Sequence, residues 1–208
     1  MKKLTKLAAT LAALVLALAL VGCDNESTTE ENGQADWNGF TMVDSVDKLD
    51  FKVGTYEMKE AASREYKGET LLTGTNIYAV KILSTESVTI TQKSTVEKYN
   101  DDAYYASEKE DWEEYCTKKG YTCTCNDSTR TITITYPDEP RSQSLSDFKK
   151  DWISPESDDN ETYSDIKLGS NKNGVIQASY NMNHTWTESD GSVGSNTTHI
   201  TITLTPKK

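Results

Sequence analysis

Three of the chain's four cysteines fall within ten residues, in YCTKKGYTCTC from Tyr115 to Cys125. Thiols this dense support three kinds of chemistry: a thiolate metal cage, a dithiol redox centre, or a disulfide that ties two elements together. Structural zinc takes four protein ligands, and neither His184 nor His199 is near Cys116, Cys123 and Cys125 in sequence. A thioredoxin-like centre needs Cys-Xaa-Xaa-Cys at a helix start, where the dipole lowers the thiol pKa. Here Cys116 belongs to a predicted helix end, where the dipole does the opposite. The crosslink is the preferred reading over metal or redox chemistry, and it depends on the compartment.

Other residue types offer less. A Ser-His or Cys-His nucleophile needs a histidine beside it and a carboxylate to orient that histidine. His184 shares a predicted strand face with Met182 and Trp186, as a packed or rim histidine, and His199 falls in phase with Thr201 and Thr203 on the solvent side. No Gly-Xaa-Ser-Xaa-Gly elbow, His-Glu-Xaa-Xaa-His pair or phosphate loop occurs, so no catalytic residue is assigned. Acidic stretches such as SPESDDNETYSD and TESDGS lack EF-hand spacing and read as solvated loops, so no metal site and no dissociable cofactor is expected. The aromatic set Tyr104, Tyr105, Trp112, Tyr115, Tyr121 and Trp186 reads mostly as core, with Tyr104, Tyr105 and Trp186 as candidates to face an apolar or sugar ligand.

The elements that position these groups are mostly strands. FKVGTYEM, NIYAVKIL, SVTITQKSTV, TRTITITY, GVIQASYNMNHTW and HITITLT alternate β-branched or aromatic residues with polar ones, the pattern of half-buried antiparallel strands. In TRTITITY, Ile132, Ile134 and Tyr136 share one face. One helix stands out in NDDAYYASEKEDWEEYCTKKG, capped by Asn100 or Asp101 and stopped at Gly120. Its apolar stripe is Tyr104, Tyr105, Trp112, Tyr115 and Cys116, and adjacent Tyr104 and Tyr105 must diverge by ~100°. SLSDFKKDWI suggests a short second helix behind Ser144, PDEPRSQS and SPESDDNE read as loops, and NDST and TESDGSVGSNT as hairpin turns. The expected fold is therefore α+β: an antiparallel, strand-dominated sheet, strongly curved or barrel-like as the alternative, with one main helix packed on it.

Spacing also selects a cysteine pair. Cys116 lies about 6 Å back along the helix from Gly120, and Cys123 returns about 7 Å along the following strand, level with it. Cys125 returns about twice as far and comes level with Trp112. A Cys116–Cys123 bridge is expected, with Cys125 as the alternative partner. The loop-entropy gain is roughly 2.5 kcal/mol for either choice.

The compartment comes from the first two dozen residues. Lys2, Lys3 and Lys6 precede LAATLAALVLALAL, Leu7 to Leu20, which has the form of a signal peptide's apolar region and is shorter than the ~20 residues of a spanning helix. Leu20-Val21-Gly22-Cys23 then resembles the lipobox of bacterial lipoproteins. The resemblance implies cleavage before Cys23, a diacylglyceryl group on its sulfur as the covalent lipid, and a chain held on the extracytoplasmic face of a cell-envelope membrane. Two acyl chains suffice for stable anchoring. On this reading residues 1–22 are leader, 23–36 an acidic flexible tether, and 37–208 a single β-rich domain. Such a compartment is oxidising, which favours the crosslink.

With three of the 22 basic residues in the leader, 19 face 33 acidic ones, a formal charge of −14. That surface repels phosphate backbones, so nucleic acid is not an expected partner. The sequence points to a non-enzymatic module that binds a small ligand or an envelope protein. A small envelope hydrolase or thiol/redox protein is the alternative.

Overall fold

A computed structural model describes residues 35–152, 160–187 and 191–208. The leader, Cys23 and nearly all of the tether lie outside the described residues, as do parts of the SPESDDNE and TESDG loops.

The N-terminal strands are β1 (Phe40–Val43), β2 (Gly54–Tyr66), β3 (Glu69–Ser84) and β4 (Ser87–Tyr99). Helix α1 (Asp102–Lys119) is followed by β5 (Thr122–Asn126), β6 (Thr131–Thr135) and β7 (Arg141–Gln143). Helix α2 (Leu145–Asp151) precedes β8 (Glu161–Asn171), β9 (Ile176–Thr187) and β10 (Val193–Pro206). All ten strands form one antiparallel sheet in the order β1-β8-β9-β10-β2-β3-β4-β6-β5, with β7 pairing on β4. The sheet does not close into a barrel, because β1 and β5 remain edges. The fold is α+β, strand-dominated, with one main helix.

The two halves of the chain meet at β10 and β2, which pair over ten residues from Pro206↔Tyr56 to Thr197↔Glu65. The late strands thus extend the same sheet. Register carries one side-chain phase across it: Ile202 is opposite Glu60, Glu60 opposite Asn76, and Asn76 opposite Thr95. A β-bulge beside Ile77 keeps that phase in β4 on both sides of Lys93, as an extra residue does.

Both helices pack on this face. α2, capped by Ser144, buries Phe148 and Trp152 against Phe51, Val80, Ile82, Val88, Ile90 and the apolar residues of β9 and β10. Edge-to-face contacts of Phe51 with Phe148 and Trp152 fix its angle. α1 begins at Asp101, whose Oδ1 accepts a hydrogen bond from Tyr104 N at 2.7 Å, and ends at Gly120 in the left-handed region, φ 71°. Only glycine adopts that conformation without strain. The helix buries Tyr105, Trp112 and Cys116 on Leu72, Tyr99, Ile132 and Ile134.

Several expectations change. Tyr115 is exposed and Tyr104 half-buried, so the buried stripe is narrower than its five aromatic and thiol positions. RSQ, expected as loop, is strand β7. Thr201, expected on the solvent side with His199, is buried at 3% exposure, and Ser63 and Thr75 of the neighbouring central strands are buried with it. Short side chains at the centre of a broad sheet are shaded by their neighbours, whatever their polarity.

Candidate functional site

Between the two apolar clusters the same sheet face carries a band of polar residues. Along β2 the inward phase reads Tyr56, Met58, Glu60, Ala62, Arg64, and along β4 it ends Thr95, Glu97, Tyr99. α2 covers one end of these strands and α1 the other, so the middle of the band, at Glu60, Asn76 and Thr95, falls between the two apolar clusters. Unpaired polar groups cost too much in such a place, and these are bonded to one another.

Glu60 Oε2 accepts from the Tyr78 hydroxyl at 3.4 Å and from Asn76 Nδ2 at 3.5 Å. Asn76 Oδ1 accepts from Thr95 Oγ1 at 2.5 Å and from Gln92 Nε2 at 3.5 Å. Thr95 Oγ1 lies 3.0 Å from the Tyr136 hydroxyl. A continuous chain of polar groups thus runs from an interior carboxyl to Tyr136. It ends at a cleft of about 300 Å³ lined by Tyr78, Ile90, Gln92, Tyr121, Tyr136, Pro137, Glu139 and Arg141. Tyr121 and Tyr136 meet edge to face at 5.2 Å between centroids and form its aromatic wall. Arg141 is supplied by β7, the strand that sequence had assigned to a loop.

Burial pushes the Glu60 carboxyl up to about 7, against the hydrogen bonds from Asn76 and Tyr78 that favour its charged form. Near neutral pH it is divided between acid and carboxylate, so it can donate or accept. Burial likewise raises the Tyr136 hydroxyl to about 12, and Tyr78 is held well above the ordinary tyrosine value by burial and then by Glu60. Both remain neutral donors. An aromatic-walled concavity with a few convergent polar groups and a perturbed carboxyl has the composition of a ligand site.

A second interior carboxyl, Glu97, sits under α1. It accepts from Trp112 Nε1 at 2.7 Å and from the Tyr99 hydroxyl. Burial raises it, too, to about 7; Glu108 adds to the rise, and Arg64 opposes it without prevailing. Arg64 donates from Nε to Thr198 Oγ1 at 3.4 Å and hydrogen-bonds the Tyr104 hydroxyl. Neither Glu60 nor Glu97 was singled out among the 33 acidic residues. The available signal was phase: Glu60 follows Tyr56 and Met58 in the inward register of β2, and Glu97 precedes Tyr99 in that of β4.

Cys116 comes level with Cys123, as their spacing predicts, and Cys125 adjoins Cys123. Cys116 projects from α1 onto β5, in hydrogen-bonding contact with Cys123, and Cys123 Sγ is 3.9 Å from Cys125 Sγ. All three are free thiols. Burial raises each above the ordinary thiol value, Cys123 to about 11 and Cys125 to about 12, so none is a ready thiolate. Five strands separate β5 from β9, which carries His184, and no Cys-His pair forms. Among the described residues no group of three or more His, Cys, Asp or Glu side chains is arranged to hold a metal ion.

The ligand-facing candidates separate. Tyr105 lies beneath α1, its hydroxyl donating to Asp127 Oδ1 at 2.7 Å. Tyr104 packs edge to face on Tyr99 at 5.3 Å. Trp186 sits at the far end of β9, away from the cleft, stacked with His184 and Tyr66. His184 is a rim histidine there, with Nδ1 3.8 Å from Glu161 Oε1. No protein-family model matches this chain, and no curated protein aligns with it.

Proposed function

We propose that the chain is a membrane-anchored lipoprotein of the bacterial cell envelope whose folded part is a non-enzymatic binding module taking a small polar ligand in the cleft at Tyr136. The observation that carries the binding role is the unbroken chain from the cleft wall through Thr95 and Asn76 to Glu60. Hydroxyl and amide groups already fixed by one another offer a ligand directional contacts with little further loss of side-chain freedom. Support for the anchor comes from the charged leader, its apolar run and Leu20-Val21-Gly22-Cys23. In that oxidising setting Cys116 and Cys123 close a disulfide and leave Cys125 as the remaining thiol.

A hydrolase is the second reading, and one observation favours it: two interior carboxyls, Glu60 and Glu97, are both raised to about 7, the range of a general acid near neutral pH. Glu97 lies beneath α1 rather than among the cleft-lining residues, which favours binding over hydrolysis.

The test is mass spectrometry of the full chain extracted from bacterial membranes. Denaturing spectra should show a diacylglyceryl-modified N-terminus at Cys23, absent in Cys23→Ser. Native spectra should show a retained small molecule that Tyr136→Phe and Arg141→Ala release. An unmodified leader sinks the anchor, and a ligand retained equally by both cleft variants sinks the site.

A further inference from the structure

At the end of β9, β10 and β2 farthest from α2 the inner sheet face carries an aromatic surface that the cleft does not use. Trp186 stands opposite Gly194 in the β9–β10 register. A Cβ built on Gly194 would lie 2.3 Å from Trp186 Cε2 and 2.6 Å from each of Cζ2 and Nε1. Those two atoms are bonded to Cε2, and an approach in the ring plane would bring them closer than Cε2 itself. The observed order, shortest to the shared atom and equal to its neighbours, requires that the indole lie face down on the glycine. Any side chain at 194 would lift it.

Two further rings lie nearly parallel to the indole. His184 lies 5.9 Å from the indole at 21° between planes, and Tyr66, reaching in from β2, lies 5.9 Å away at 29°. With both neighbouring rings within 30° of the indole plane and the indole flat on the backbone, the group makes a floor rather than a cage. Polar groups border it: Glu161 beside His184, Asn196 opposite His184 in register, and Lys67 over the Tyr66 ring at 4.8 Å. A depression of about 300 Å³ opens at its edge, lined by Tyr66, Lys67 and Ser192 to Ser195.

We propose that this floor binds a neutral pyranose sugar. The ligand class follows from shape and charge. A quaternary ammonium ion is recognised by rings that surround it, whereas these lie within 30° of the indole plane rather than at steep angles around a centre. A nucleic-acid base also stacks on such a surface, but it arrives with phosphates that a chain of net charge −11 repels. A pyranose presents one flat face of C–H groups, which suits the ring faces, and equatorial hydroxyls around its rim, which suit Glu161, Asn196 and Lys67 as acceptors and donors. The site is independent of the cleft at Tyr136 and stands or falls without it.

The test is titration of the full chain, in mild detergent, with neutral oligomers of β-linked glucose and of β-linked N-acetylglucosamine, read by calorimetry and tryptophan fluorescence. Saturable binding of at least one oligomer is expected. Trp186→Ala should weaken it by about tenfold or more, the loss of one good ring contact. Gly194→Ala should weaken it as well, because it displaces the indole while keeping every ring and polar group. Circular dichroism checks that each variant is folded, and Tyr66→Ala replaces any that is not. No saturable binding of either oligomer at millimolar concentration, equal binding by Trp186→Ala, or preference for tetramethylammonium over the sugars would overturn the proposal.

Discussion

Raising the pH should weaken the fold, and most of the effect should come from interior carboxyls. Glu97 is 4% exposed, and its carboxyl rises from 4.5 to about 7. The folded chain therefore holds a proton that the unfolded chain has already released across that interval. Stability falls with pH wherever the native state binds more protons, so this contribution is complete below pH 4.5 and lost as pH rises through 7. At ~1.4 kcal/mol per pKa unit the loss is about 3 kcal/mol, a large part of a stability of about 5–15 kcal/mol.

Glu97→Gln isolates the term. Glutamine copies the protonated acid: its carbonyl oxygen can accept from Tyr99 and Trp112 as Oε2 does, and its amide stands where the acid's hydroxyl would be. Urea unfolding followed by circular dichroism, at about pH 5.5 and about pH 8, gives the stability of each protein at both values. The wild type should lose stability between them, and Glu97→Gln should lose about 2 kcal/mol less and be the more stable of the two at the higher pH. Exposed acids and the overall negative charge act on both proteins and cancel in the difference, whereas the effects of Glu108 and Arg64 on Glu97 belong to the shift being measured. Equal pH dependence in the two would refute the assignment of a buried, proton-holding Glu97.

Asp101→Ala removes the cap on Tyr104 N and should cost about 1 kcal/mol, a drop of about 2–4 °C in the thermal midpoint for a chain of this size; an unchanged midpoint would mean that the helix start is held by packing alone. In the reduced chain at about pH 7.5, Cys123 and Cys125 should be alkylated by iodoacetamide far more slowly than an ordinary thiol, with rates rising about tenfold per pH unit. Fast alkylation at neutral pH would show that these thiols are not raised by burial. In chain taken from an oxidising envelope, peptide mapping should find Cys116 and Cys123 joined and Cys125 still alkylatable; three free thiols would remove the crosslink.

The strands that alternate cleanly were legible from sequence, because period two is what a half-buried strand imposes. Those that were missed break the pattern for physical reasons. Ala61 to Arg64 extend β2 with small and charged residues, since its inward phase there enters the polar band. β8 carries Asp165 at φ 54° beside a shift in register between Ser164 and Lys167, which destroys the alternation in ETYSDIKLG. β7 is three residues long and held only by β4. The helix was legible down to its cap and stop, because Asp101 and Gly120 act locally. The thiol cluster was legible for the same reason: helix rise and strand rise set Cys116 and Cys123 level. Glu60, Glu97 and the Trp186 floor were not, since each depends on which strands are neighbours, and the insertion of β10 between β9 and β2 has no local signature.

That insertion also accounts for where the polar groups gather. β10 joins two meanders, β8-β9-β10 and β2-β3-β4, each of which brings its own apolar residues to one face. α2 covers the end where both meanders are richest in Ile, Leu and Val, and α1 covers β4, β6 and β5 at the other end. Neither seven nor eighteen residues of helix spans so broad a face, so two regions lie uncovered: the strip between the helices, and the strand ends of β9, β10 and β2. The first is filled by a hydrogen-bonded network leading to a cleft and the second by the Trp186 ring laid flat on a glycine, with His184 and Tyr66 beside it. An acidic residue in the inward phase costs stability in both clusters, as the pH dependence of Glu97→Gln would measure. The open end of that network, at Tyr136, is where the small polar ligand proposed above would meet it.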